Sequence, residues 1–240
     1  MKISVWRVLV RSVMALAVGL LVVGGASAGE KVLTIAGFDT DTVDPQMTTA
    51  EYFVPLNVFD RLVQVEPGSN PPRLAPMLAE SWEISEDGKV FTFHLRKGVT
   101  FHNGDEFTAE DVAYTINRLL NPATKSVQTD IFDSLVGARE RLDGKAETVP
   151  GIEVLDPATI RLTLREPYAP FLAALATPGA SIFSKKFTEP RSEKFGLAAE
   201  DTCGTGPFVL KEYALKDHFT LEANVAYWGG RPKLDKLIAR

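Results

Sequence analysis

The chain has 240 residues, 26 of them basic and 31 acidic, for a net charge of −5. No run of Lys or Arg exceeds Lys185-Lys186, which argues against a nucleic acid or an anionic membrane as partner, since both attract clustered positive charge. A single cysteine rules out an internal disulfide, and 15 Pro with 18 Gly favour loops and short strands over a helical bundle.

Lys2, Arg7 and Arg11 precede an uncharged apolar run of 11 residues, Val13 to Val23, and the small-x-small triplet Ala26-Ser27-Ala28 follows. Together these predict a secretory signal peptide cleaved after Ala28. The run is shorter than the ~20 residues a spanning helix needs. Cleavage removes three basic residues and leaves 212 residues with 23 basic and 31 acidic side chains. No cysteine follows the apolar run, so the expected product is soluble and periplasmic rather than lipid-anchored.

Lys31 to Ala36 reads as a first strand. The Asp- and Thr-rich loop after it, 38–45, is either a ligand loop or plain turn chemistry, because Asp and Thr side chains bond their own backbone. Phe53, Leu56, Phe59 and Val63 recur at helical spacing, which predicts a helix over Glu51–Val63 with Pro55 in its first turn. Pro67 to Pro72 is a breaker cluster and a segment boundary. Trp82 and Ile84, then Phe91, Phe93 and Leu95, alternate with polar residues about the turn Glu86-Asp87-Gly88-Lys89, the pattern of a hairpin with one buried face. His94 falls on its polar face. Thr108 and Asp111 form a capping-box pair, and Phe107 with Val112 a hydrophobic staple, for a helix that Asn121-Pro122 ends.

Ile152 to Leu164 predicts a second hairpin about Asp156-Pro157-Ala158-Thr159. A short helix is expected over Phe171 to Ala176. Gly204 to Phe208 is a Gly-rich turn into a strand ending at Tyr213, His218 to Ala223 is a further strand, and Leu234 to Ile238 starts another. No stop signal follows, so a truncated chain is expected.

Little in this pattern points to catalysis. The 3 histidines, His94, His102 and His218, lie in separate segments and never at metal-ligand spacing. Gly204-Thr-Gly lacks the Gly-Lys-Ser/Thr of a phosphate loop. No metal and no cofactor is expected. Cys203 reads first as a buried, inert thiol, next as the partner of a cysteine outside this chain, and last as a catalytic thiol, since nothing near it supplies a base. A binding module fits better, because binding needs a concave surface with a few placed polar groups rather than a spaced triad. Two alternatives stay open: a secreted hydrolase using acids such as Asp39 and Glu51, and a sensor or scaffold built on the same lobe.

Four blocks carry a family resemblance: Leu78–Arg96 (LAESWEISEDGKVFTFHLR), Phe101–Val112 (FHNGDEFTAEDV), Gly204–Phe208 (GTGPF) and Asn224–Gly229 (NVAYWG). In this order they resemble the family 5 extracellular solute-binding proteins, the peptide- and nickel-binding receptors of ABC importers. The resemblance implies an α/β fold, a type II periplasmic-binding-protein lobe with an inserted α+β subdomain. By this reading residues 29–68 open the main lobe after the signal peptide at 1–28, 69–174 form the insert, and 175–240 return to the main lobe. It implies a monomeric receptor that catches a peptide or similar small solute between two lobes and docks on permease subunits, without catalysis. Family members are much longer, and their second lobe, which holds the acidic partner of a peptide α-amino group, has no counterpart here. Candidate ligand contacts are then the Asp39-Thr40-Asp41 loop, the Tyr52-Phe53 pair, Phe132 and the Pro178-Gly179 turn. For Phe53 and Phe132, core packing is the competing reading.

Overall fold

A computed structural model describes residues 29–36, 40–49, 52–214 and 217–240. The expected signal peptide lies outside the described residues.

The β-branched run at the start forms β1, Val32–Ile35. Its partner comes from the other end of the chain. Strands β8 (Phe208–Ala214), β9 (His218–Ala223) and β10 (Lys236–Ala239) complete a sheet of order β1-β10-β9-β8, with β1 parallel to β10 and the remaining pairs antiparallel. Leu237 faces Leu221, and Leu221 faces Leu210, so one buried row of leucines crosses the sheet. Val43, Val54, Phe59, Phe183 and Phe195 pack on the same core.

The second sheet is antiparallel, in the order β4 (Ala79–Ile84), β5 (Val90–Leu95), β7 (Thr159–Thr163), β6 (Ile152–Asp156). Both expected hairpins are present, because period-two alternation puts Phe91, Phe93, Ile160 and Leu162 on one buried face. Helix α2, Ala109–Leu119, lies over β6 and β7 and buries Val112, Ile116 and Leu119. Its start is locked as the sequence predicts: the Thr108 amide donates to Asp111 Oδ2 at 2.9 Å, and Phe107 and Val112 are both buried. Asp111 does more than cap, since its Oδ1 also accepts from the Lys185 amide at 2.8 Å.

The expected helix over Glu51–Val63 is corrected to a single short element, α1, Phe53–Val58. Phe59 is already extended, and Val63 starts β2 (Val63–Val65), which pairs with β3 (Leu74–Pro76). The cause is tertiary. The Val58 carbonyl, which a longer helix would use internally, accepts from the Gly206 amide at 2.9 Å. Leu56, on the proposed apolar face, is 41% exposed. Helix α3 (Ala138–Leu142) and helix α5 (Lys185–Thr188) were not legible, and α4 (Phe171–Ala174) is shorter than expected.

The four blocks of the family resemblance meet at one place. His102, from the second block, brackets the third: its amide donates to Gly204 O at 2.8 Å, its Nδ1 accepts from Gly204 N at 3.3 Å, and its Nε2 donates to Gly206 O at 2.9 Å. Asn224 of the fourth block donates to the same Gly206 carbonyl at 3.1 Å. The Arg96 guanidinium of the first block lies 4.5 Å over the Trp228 ring of the fourth. Beneath them Asp60, fully buried, accepts from Trp228 Nε1 at 2.8 Å and from Thr205 Oγ1 at 3.1 Å. Burial pushes the Asp60 carboxyl up, and these donors with the neighbouring Arg61 charge oppose the shift.

Candidate functional site

Two surfaces grow from the loop that follows β1. Residues 40–49 of this loop are pinned by hydrogen bonds rather than by regular structure. Thr42 Oγ1 and the Val43 amide both donate to Gly196 O, at 3.0 and 2.8 Å. The Tyr213 hydroxyl donates to Thr40 O at 2.7 Å. At the centre, Arg118 on α2 reaches two residues of the loop at once. Its Nη2 donates to Asp44 Oδ2 at 2.6 Å and its Nη1 to Gln46 Oε1 at 2.5 Å. The guanidinium is also flanked by the Phe183 and Phe195 rings, each centred 5.3 Å away. Burial drives the Asp44 carboxyl upward while Arg118 pulls it down.

The first surface is a groove of about 1020 Å³ whose lining includes Asp41, Met47, Tyr114, Arg118, Phe195 and Leu197. Burial pushes the Tyr114 hydroxyl up to about 12, so it stays a hydrogen-bond donor at neutral pH. The second surface is a polar patch. Tyr52 Oη donates to Thr48 O at 3.0 Å and accepts from Gln128 Nε2 at 2.8 Å. Gln128 Nε2 also donates to Thr48 O at 3.0 Å. The turn Pro178–Ala180 closes the patch. A Cβ on Gly179 would lie 2.7 Å from Ile131 Cδ1 and 2.9 Å from Gln128 Cγ, so glycine lets the turn approach Gln128.

The candidate residues are therefore divided. Tyr52, Pro178 and Gly179 come together around Gln128, and Asp41 lies in the groove. Thr40 is buried, with its side chain donating to Thr42 O at 2.8 Å. Phe53 is half-buried against the core of the first sheet. Phe132 is a correction: at 1% exposure it belongs to the insert core, and its ring is enclosed by protein. Asp39 and Glu51, which the hydrolase reading needs, lie outside the described residues. Gln128 was missed. A lone glutamine between breaker residues carries no motif, and its part here depends on partners 76 and 80 residues away.

The chemistry on offer is hydrogen bonding and apolar contact. Among the described residues no cluster of three or more His, Cys, Asp or Glu is placed to hold a metal ion. Cys203 is buried, and burial raises its thiol to about 11, which keeps it protonated. Among the described residues no helix is long and apolar enough to cross a membrane.

Solved structures define the class. Listeria monocytogenes OppA bound to peptide superposes with a TM-score of 0.81 at 26% identity, covering 89% of this chain and 43% of that one. The fold is a partial lobe of the type II periplasmic-binding-protein kind, mixed α/β. The chain belongs to the bacterial extracellular solute-binding proteins, family 5, whose middle-region model matches residues 73–240. It is 35% identical to di/tripeptide-binding protein 4 of Pseudomonas aeruginosa (strain UCBPP-PA14), over 94% of this chain and 43% of that one. It is likewise 35% identical to the dipeptide-binding protein of Escherichia coli (strain K12), over 84% of this chain and 38% of that one. The chain thus spans about two fifths of the length of these relatives.

Proposed function

We propose that this chain supplies one wall of the ligand cleft in a periplasmic receptor that delivers peptides, or related small solutes, to an ABC importer. The observation that carries the reading is the patch in which Tyr52, Gln128 and the Gly179 turn converge beside the Thr48 carbonyl, in a chain whose relatives are named for di- and tripeptides. An aromatic ring with a polar edge, next to close-packed backbone, suits an extended peptide, which offers amides to bond and side chains to pack. The role is capture, not turnover. Export through residues 1–28 and release as a soluble monomer that meets permease subunits complete the proposal.

A thermal-shift titration of the exported chain against pooled di- and tripeptides, with haem and nickel–histidine as competing classes, tests it. A ligand that binds the folded state raises the melting temperature by mass action, about 2.7 kcal/mol at a hundredfold excess over Kd. A saturable rise with peptides and none with the other classes supports the proposal. A rise with haem alone reassigns the substrate class, and no rise with any class rejects the receptor role for this chain.

A further inference from the structure

Arg118 touches neither Tyr52 nor Gln128, yet an unbroken chain of hydrogen bonds joins it to both. The guanidinium holds Gln46 Oε1, and Gln46 Nε2 donates to Thr115 O at 3.1 Å, so the Gln46 side chain is clamped at both ends by α2. Gln46 is fully buried, which leaves it no water to exchange for these partners. Its backbone carbonyl then organises the next segment. It accepts from Ser126 Oγ at 2.8 Å and from the Val127 amide at 3.0 Å. Ser126 Oγ in turn accepts from the Gln128 amide at 3.1 Å. Gln128 finally holds Tyr52 Oη and Thr48 O. We infer that Arg118 is a positioning residue: by bridging Asp44 and Gln46 it fixes the Gln46 carbonyl, and through Ser126 it sets the Gln128–Tyr52 pair that faces the ligand. The ligand part of this inference rests on the receptor reading.

Arginine is required for a geometric reason. Its planar fork donates to two acceptors on different residues at once, whereas a lysine ammonium is a single point charge. Arg118→Lys retains the charge beside Asp44 and gives up the grip on Gln46. Gln46→Met does the converse, leaving Arg118 on Asp44 and removing the clamp, and serves if the lysine variant does not fold. In the ligand-free chain the Gln128 side-chain amide and Tyr52 ring signals are followed by NMR, with thermal melts as the check on folding. The expected result is a folded variant in which both signals shift and the Gln128 amide protons exchange faster with solvent. Folded variants with Gln128 and Tyr52 signals at their wild-type positions overturn the inference. With a peptide that binds the wild type, the same variants are expected to lose about tenfold in affinity, the scale of one well-placed hydrogen bond. If the wild type binds no peptide, the receptor reading fails while the NMR comparison still decides the positioning role.

Discussion

Protonating His102 would set its Nδ1 proton against the Gly204 N–H, which at present donates to that nitrogen. The other ring nitrogen is already committed as a donor to Gly206 O. The neutral imidazole thus satisfies both contacts and the imidazolium can keep one. Burial, with Lys211 nearby, lowers the pKa to about 4 from an ordinary value of 6.5, the Gly206 bond opposing the shift. The folded pKa lies below the unfolded one, so the stabilisation is fully present above pH 6.5 and is lost as pH falls from there towards 4. Its full size is on the order of 3 kcal/mol. Carboxylates titrate in part of the same window, so the informative quantity is a difference. His102→Gln, which keeps one donor and one acceptor, is expected to flatten the fall in urea-unfolding stability between pH 6.5 and 5 relative to wild type. Equal slopes for the two proteins would refute the assignment.

Among elements, α2 carries the clearest signature. Its capping box and staple are local, set by residues three to five positions apart, so Thr108, Asp111, Phe107 and Val112 could be read directly. Asp111 adds a tertiary bond to Lys185 N that no local pattern shows. Asp111→Ala is therefore expected to cost about 2 kcal/mol, more than a plain cap, because a partly buried amide loses its acceptor as well. Chemical denaturation measures this, and a loss under about 0.5 kcal/mol would mean that the Lys185 contact contributes nothing. The two hairpins were equally legible, since a one-residue slip would turn Phe91 and Phe93 out of the core. Helix α1 was overrun because its stop signal is the amide of Gly206, nearly 150 residues downstream, capturing the Val58 carbonyl. Strands β2 and β3 flank a proline-rich turn that masks their pattern. Of the candidate site, Tyr52 and Gly179 were reachable from family resemblance, whereas Gln128 and the Arg118 bridge depend on contacts between segments far apart in sequence.

Across the whole molecule there are two cores, one under each sheet, and the four sequence blocks meet at the seam between them. The motifs that identify the family most readily thus mark a structural join rather than the ligand patch. Asp60 is the centre of that join, with Trp228 Nε1 and Thr205 Oγ1 donating to it. Asp60→Ala leaves these donors buried without an acceptor, a cost of roughly 3 kcal/mol. It is also expected to uncouple the cores. In wild type, urea transitions followed by tryptophan fluorescence and by far-UV circular dichroism should coincide, and in the variant they should separate. Coincident midpoints in a folded, destabilised Asp60→Ala would show that the cores are tied together elsewhere.

The pairing of β1 with β10 sets an order of events in time. Val32 finds its register opposite Lys236, so the first strand to leave the ribosome cannot be hydrogen-bonded there until nearly the whole chain has followed it. Meanwhile β4 and β5, joined by a tight turn, can pair within a few residues of emerging, and β6 and β7 can do the same. Closing a loop of some 200 residues is entropically costly and slow beside these local steps. Val32 and Leu33, 43% and 44% exposed even after β10 arrives, spend that interval uncovered. The N-terminal strand is thereby the last to be secured, and a nascent chain of this protein presents a bare apolar edge for most of its synthesis.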